Sequence, residues 1–178
     1  MDKLLTPWKY TICFCIHKDS VLMMYRKNAP HQYFWNGLGG KIEFEETPRE
    51  NVYREMLEEA NINLKNAETV NFVGIVTWDD GINITPKHGM YAYIAKFSDK
   101  YTFWEEDRET EEGKLSWKPL GWISSIKNKK VVSNIPYFFP LMFYNDVPLE
   151  FRLIYNNSTF ESMNIKPIPQ NIIKKLSV

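Results

Sequence analysis

The sequence predicts a single mixed domain of strands and helices, α+β in class, on three observations. Apolar runs of strand length recur between turn signals along the chain. One segment carries helical spacing together with a full set of helix-start signals. The 178 residues show no internal repeat, low-complexity tract or break in composition, so residues 1–178 are expected to form one domain.

Tyr10 to His17 is apolar almost throughout and reads as a strand. Lys18-Asp19-Ser20 supplies a turn, and Val21 to Tyr25 follows as the second arm of a hairpin. Asn28 to Gln32, with Pro30 inside, is a loop. Phe34 to Gly40 is a glycine-rich bend expected to lead into a short strand, Lys41 to Phe44. Thr47 before Pro48, with Glu50 three residues on, is an N-cap, a first-turn proline and a capping box. The helix should run from Pro48 to about Ala60, with Val52, Met56 and Leu57 as its apolar stripe, and Asn61 falls where a left-handed cap would end it.

Val70 to Trp78 and Met90 to Phe97 read as strands joined through Asp79-Asp80-Gly81. Leu115 to Trp122 is expected as another strand, with Glu109 to Gly113 leading into it. A short helix should include Pro136 to Phe143. Leu149 to Tyr155 and Ser158 to Ile165 should pair as a hairpin around Asn156-Asn157.

Lys plus Arg equals Asp plus Glu at 22 each, so nothing in the balance calls for a nucleic-acid polymer or an anionic membrane as partner. A phosphate-bearing small ligand needs only local positive charge. Cys13 and Cys15 would share one face of a strand and make neither a disulfide nor, by themselves, a metal site. They fit a buried role in a reducing, cytoplasmic setting. No N-terminal stretch resembles a signal peptide, and the longest apolar run, Ile135 to Tyr144, holds two prolines and is too short to span a bilayer. The many rings suit a bulky core; Trp8 and Trp104 lie in no motif. No sequence feature addresses oligomeric state.

The chemistry concentrates in Gly40 to Ile62, GKIEFEETPRENVYREMLEEANI. Glu55 and Glu59 are four apart and Glu58 is three from Glu55, so three carboxylates share one turn of helix. Alone, such a cluster is more often a solvated acidic face, with Arg54 paired to Glu58. A hard cation such as Mg²⁺ would turn the repulsion into a ligand set and also bind substrate phosphates.

The spacing resembles the Nudix box, Gly-x5-Glu-x7-Arg-Glu-U-x-Glu-Glu-x-Gly-U with U apolar. Gly40, Glu46, Arg54, Glu55, Met56, Glu58, Glu59 and Ile62 fall on its positions, and Asn61 replaces the second glycine. Glu45 stands where many relatives have glycine. The resemblance implies an α/β/α sandwich around a mixed sheet, with the box as a loop–helix–loop. It implies divalent metal, Mg²⁺ or Mn²⁺, on Glu55, Glu59 and the Gly39 carbonyl, with Glu58 in the metal shell directly or through water. Arg54 would hold the motif glutamates, Glu46 included. The general base would be a box glutamate such as Glu58 or an acidic residue of a later loop, where Glu109, Glu111 and Glu112 stand and Glu112 aligns best.

Outside the box, Tyr10-Thr11, the Trp35 to Lys41 run, Ser116 to Leu120, Tyr137 to Pro140 and Leu149 to Phe151 are similar to the MutT-type, 8-oxo-dGTP diphosphatase-like subgroup. That likeness implies a purine nucleoside triphosphate substrate, with Asn36 reading the base and Thr11 and Arg26 lining the pocket. Asn134 stands where relatives often carry acidic residues, and it hydrogen-bonds but cannot share a proton as paired carboxylates do. Other Nudix substrates, namely a dinucleotide, a nucleotide sugar or a capped RNA end, and a catalytically dead nucleotide-sensing module, are the alternative readings.

Overall fold

The computed structural model describes residues 8–79, 86, 88–157 and 159–177. Its first hairpin is β1 (Tyr10–His17) and β2 (Ser20–Arg26), antiparallel across the Lys18-Asp19 turn. A two-residue strand, β3 (Trp35–Asn36), pairs with β2. Lys41 to Phe44 does not form the expected strand. Only Lys41 bridges to Tyr10, and Phe44 projects into solvent, 86% exposed. Past that bridge one more backbone bond, from the Ile42 N–H to the Lys9 carbonyl at 2.8 Å, reaches toward β1, and then a turn with Glu45 at φ 68° brings the Glu46 N–H to the Glu43 carbonyl.

Helix α1 (Pro48–Ala60) has the caps its sequence encodes. The Thr47 side chain accepts from the Glu50 N–H, the Glu50 carboxylate accepts from the Thr47 N–H, and Asn61 closes the helix in the left-handed conformation at φ 54°, ψ 37°. Its buried side includes Val52 and Met56 but not Leu57, which is half exposed; Asn51, Glu59 and Ala60 take that side instead. A 3₁₀ turn (Leu64–Asn66) leads to β4 (Thr69–Asp79), which pairs antiparallel with β5 (His88–Phe97). Asp80 and Gly81 of the expected turn lie outside the described residues.

Next come β6 (Arg108–Glu109) and β7 (Gly113–Pro119). The strand expected to reach Trp122 stops at Pro119, because Leu120–Ile123 turns into a short helix, α2. Pro119 has no N–H to continue a ladder. Helix α3 (Ile135–Tyr144), strands β8 (Leu149–Asn156) and β9 (Thr159–Pro167), and helix α4 (Gln170–Leu176) complete the chain. Ser158, in the expected hairpin, is outside the described residues.

The strands form one mixed sheet in the order β6-β7-β2-β1-β5-β4-β8-β9, with β3 added on β2. The β1–β5 and β4–β8 pairs are parallel and the others antiparallel. Alternation along β1 divides the core. Cys13 and Cys15 face one side with Val52 and Met56 of α1 and Leu176 of α4. Ile12, Phe14 and Ile16 face the other with Ile123 of α2 and Phe138 and Phe139 of α3. Helices therefore cover both faces, the α/β/α arrangement. Both cysteines are buried free thiols, and burial pushes the Cys13 thiol up to about 12, which leaves it inert. Among the described residues no helix is long and apolar enough to cross a membrane.

Candidate active site

The site is built on α1 and the bend that precedes it. Gly39 sits at φ +135°, and a Cβ there would come within 2.5 Å of the Thr11 carbonyl oxygen, so only glycine lets the bend press against β1. Gly40 leaves room of another kind: a Cβ would meet Glu55 Oε1 at 2.5 Å. The Glu55 carboxylate therefore lies directly over the glycine backbone.

Arg54 organises the acidic groups around it. Its Nε and Nη2 donate to the two oxygens of Glu46 at 2.9 and 3.1 Å, a bidentate fork. Its Nη1 reaches Glu58 Oε2 at 2.9 Å and Glu55 Oε1 at 3.0 Å. Burial works to raise the Glu46 carboxyl, but donors from Arg54, the Glu43 N–H and Asn51 outweigh it and hold Glu46 below the usual range. Glu46 is thus locked as an anion in a structural role. Beneath it lies Asn51, wholly buried, which donates from Nδ2 to Glu46 Oε2 and the Lys41 carbonyl, both at 2.9 Å, and accepts from the Thr11 hydroxyl at 2.5 Å. The sequence reading missed Asn51. Its signal was a polar residue on the buried side of the helix, next to Val52.

Glu59 points inward, 8% exposed, and accepts from the Gly39 N–H at 2.9 Å. Its carboxyl is pushed up to about 8, first by burial and then by Glu112 and Glu55, against the pull of the Gly39 N–H. Glu55 is raised as well, by burial and by Glu58 and Glu112, with Arg54 opposing. Glu112 arrives from the β6–β7 loop, whose backbone is anchored by the Lys27 N–H donating to the Glu112 carbonyl at 2.9 Å. The Lys27 ammonium adds a 2.8 Å bond to the Thr110 carbonyl and a 3.0 Å ion pair with Glu109. Between this loop and α1 lies a cavity of about 480 Å³, lined among others by Glu55, Glu58, Glu59, Glu112 and Arg108.

The donors facing this cavity are hard carboxylate oxygens. Among the described residues, no group of three or more His, Cys, Asp or Glu side chains stands close enough to enclose a metal as the side chains now lie. Glu58, with its side chain 59% exposed, is paired with Arg54 at the open rim of the cavity.

A model of the NUDIX domain matches residues 8–142. The chain belongs to the Nudix family. The Nudix hydrolase YvcI of Bacillus subtilis (strain 168), itself uncharacterized, is 28% identical over 166 residues, covering 92% of this chain and 96% of its own. The fold is shared with the mutator MutT protein of Bacillus halodurans, with a TM-score of 0.66 at 22% identity over 90% of this chain and 98% of that one. It is also shared with part of a bifunctional NMN adenylyltransferase/ADP-ribose pyrophosphatase of Francisella tularensis, at TM-score 0.56 and 21% identity over 79% of this chain and 41% of that one. The protein is a Nudix pyrophosphohydrolase acting on nucleoside diphosphate-linked substrates.

Within this Nudix frame, Thr11, Arg26, Asn36 and Asn134 each make a hydrogen bond of their own. Thr11 is buried with its hydroxyl committed to Asn51, under the box. Arg26 donates from Nε to the Pro30 carbonyl at 2.9 Å and so fastens the loop after β2. Asn36 accepts from the Gly37 N–H at 3.0 Å, which shapes the bend. Asn134, at the start of α3, donates to the Tyr155 hydroxyl at 2.6 Å. Backbone bonds from the Trp35 N–H to the Lys130 carbonyl and from the Val132 N–H to the Trp35 carbonyl tie the two asparagine segments together.

Proposed function

We propose that this Nudix enzyme is a divalent-metal-dependent nucleoside triphosphate diphosphatase. Its substrate is a purine nucleotide, with oxidised 8-oxo-dGTP the leading candidate, and its products are the monophosphate and pyrophosphate. The observation that carries the reading is the crowding of Glu55, Glu59 and Glu112 around one cavity, with Arg54 and Glu46 locked behind them. The donors facing the cavity are carboxylate oxygens, the ligand type of a hard cation, so the set fits Mg²⁺, with Mn²⁺ as substitute. One similar fold, the Francisella tularensis bifunctional enzyme, was crystallised with AMP and a manganese ion.

Glu55, Glu58, Glu59 and the Gly39 carbonyl are the residues proposed to hold the ion. When bound it would neutralise phosphate oxygens and lower the pKa of an attacking water. Arg54 fixes the direction of Glu55 and Glu58, and Glu46 fixes Arg54. Glu112, on its anchored loop, is proposed to take the proton from water, with Glu58 the other candidate base.

For the base, the hydrogen bonds already made decide what remains. Asn36 has its amide oxygen engaged and Nδ2 left to donate; Asn134 has Nδ2 engaged and Oδ1 left to accept. One donor and one acceptor on adjoining segments complement the mixed edge of a purine. The buried free thiols fit a cytoplasmic enzyme.

The test is turnover of 8-oxo-dGTP, dGTP, ATP and ADP-ribose with and without Mg²⁺, with products identified. Release of pyrophosphate from the purine triphosphates, fastest with 8-oxo-dGTP, is expected. Preferred cleavage of ADP-ribose would overturn the substrate, and turnover in excess chelator would overturn the metal.

A further inference from the structure

Arg108 stands apart from the box residues. It lines the same cavity as Glu55, Glu58, Glu59 and Glu112, and among the described lining residues it is the single cation. Despite that acidic company, no salt bridge or side-chain hydrogen bond involves it among the described residues. Its guanidinium instead lies over the ring of Trp104, 4.0 Å from the centroid.

The platform is rigid. Trp104 packs against Phe103 at 5.7 Å and Trp117 at 6.2 Å between centroids. The indole N–H groups of Trp104 and Trp117 are buried without a hydrogen-bond partner, so packing alone fixes the rings, against a desolvation cost. The backbone is fixed too, because Arg108 pairs with the buried Leu115 across β6 and β7, and opposite residues in such a pair share a face. Leu115 packs with the α1 side of the core, which sets Arg108 toward the box helix.

We infer that Arg108, braced on Trp104, is the binding residue for the substrate's phosphate chain. The assignment rests on the pyrophosphohydrolase reading of this cavity and deepens it. A phosphate chain entering between α1 and the β6–β7 loop meets carboxylates on nearly every side. A guanidinium with its N–H donors unused offers the bidentate, charge-assisted contact that compensates. Stacking on an indole leaves the in-plane N–H groups outward and reduces the entropy lost on binding.

The test compares Arg108→Ala and Arg108→Lys with wild type, after melting curves establish folding. Both KM for the nucleoside triphosphate and the inhibition constant of inorganic pyrophosphate with Mg²⁺ are measured. A lost charge-assisted contact predicts a rise of about tenfold or more in both for Arg108→Ala. Arg108→Lys should recover part of it, and kcat should change far less than KM. Trp104 fluorescence, isolated by difference against Trp104→Phe, should respond to pyrophosphate in wild type and not in Arg108→Ala. Unchanged pyrophosphate inhibition in Arg108→Ala overturns the assignment. A wild type that binds pyrophosphate through Arg108 yet cleaves no nucleotide would instead sink the functional reading alone.

Discussion

Two side chains show how much the local physics of this site exceeds its motif. Glu59 is held in a pocket that favours its proton, with a carboxyl near 8 against an ordinary 4.5. Between those two values the metal-free folded chain binds a proton that the unfolded chain releases, so stability falls as pH rises through that window and levels off above it. Glu59→Gln removes the titrating group. In excess chelator, wild type should lose thermal stability from pH 5 to 8 relative to Glu59→Gln, by an amount on the order of a few kcal/mol. Saturating Mg²⁺ should rescue wild type and not the variant. Parallel melting curves for the two proteins across that range would count against the buried, crowded carboxyl. Arg54 makes the complementary case. Its fork grips both oxygens of Glu46 while Nη1 serves Glu55 and Glu58, and lysine has one nitrogen for all three tasks. Arg54→Lys should reduce activity about 10–100-fold in a Mg²⁺ titration, the usual effect of loosening groups that orient a metal shell. The sequence placed these residues because spacing on a helix dictates which share a face. It did not show Asn51, whose role depends in part on Thr11, 40 residues away, or Arg108, whose role depends on sharing a cavity with the distant helix α1.

Elements with strong local signals were legible, and the misses fell at ends where strand-like residues continue past the point at which the ladder stops. Helix α1 was read to the residue because the Thr47-Pro48-Glu50 signals and the Asn61 cap act within a few positions. Lys41 to Phe44 misled because its pattern is strand-like, while the chain meets β1 only through isolated bridges at Leu38 and Lys41 before the Glu43 to Glu46 turn. Trp122 misled in the same way, its aromatic character suggesting a strand that Pro119 had already ended. The cap itself yields a prediction. Asn61 holds φ 54°, its N–H bonds to the Leu57 carbonyl, and the Ile62 N–H bonds to the Met56 carbonyl. Alanine disfavours that backbone by roughly 1 kcal/mol, whereas glycine adopts it freely. In urea unfolding Asn61→Ala should lose about 1 kcal/mol, and Asn61→Gly should equal or exceed wild type. A stable Asn61→Ala would mean that the helix end is held by something other than this cap.

At the scale of the molecule, the family match ends at residue 142, yet the sheet continues through β8 and β9. These strands are joined to the core as firmly as earlier ones. β8 lies parallel to β4 over six residue pairs, Gly74 to Asp79 against Leu149 to Ile154. A Cβ on Gly74 would strike the Leu149 carbonyl oxygen at 2.5 Å, so β4 admits β8 only because that position is bare. Phe151 is wholly buried, 6.4 Å from the ring of Phe138 on α3, and the Tyr93 hydroxyl donates to the Leu176 carbonyl of α4 at 2.9 Å. The hairpin and last helix therefore complete both faces of the sandwich. Phe151→Ala should cost about 3–5 kcal/mol in urea unfolding, the range for a buried ring left as a cavity. Because Phe151 belongs to the α3 side and the glutamates to the α1 side, kcat of the folded variant at low temperature should stay within about a factor of two of wild type, by the general insensitivity of well-separated sites to each other. A loss below about 1 kcal/mol would make β8 and β9 an appendage to a fold that is already closed without them.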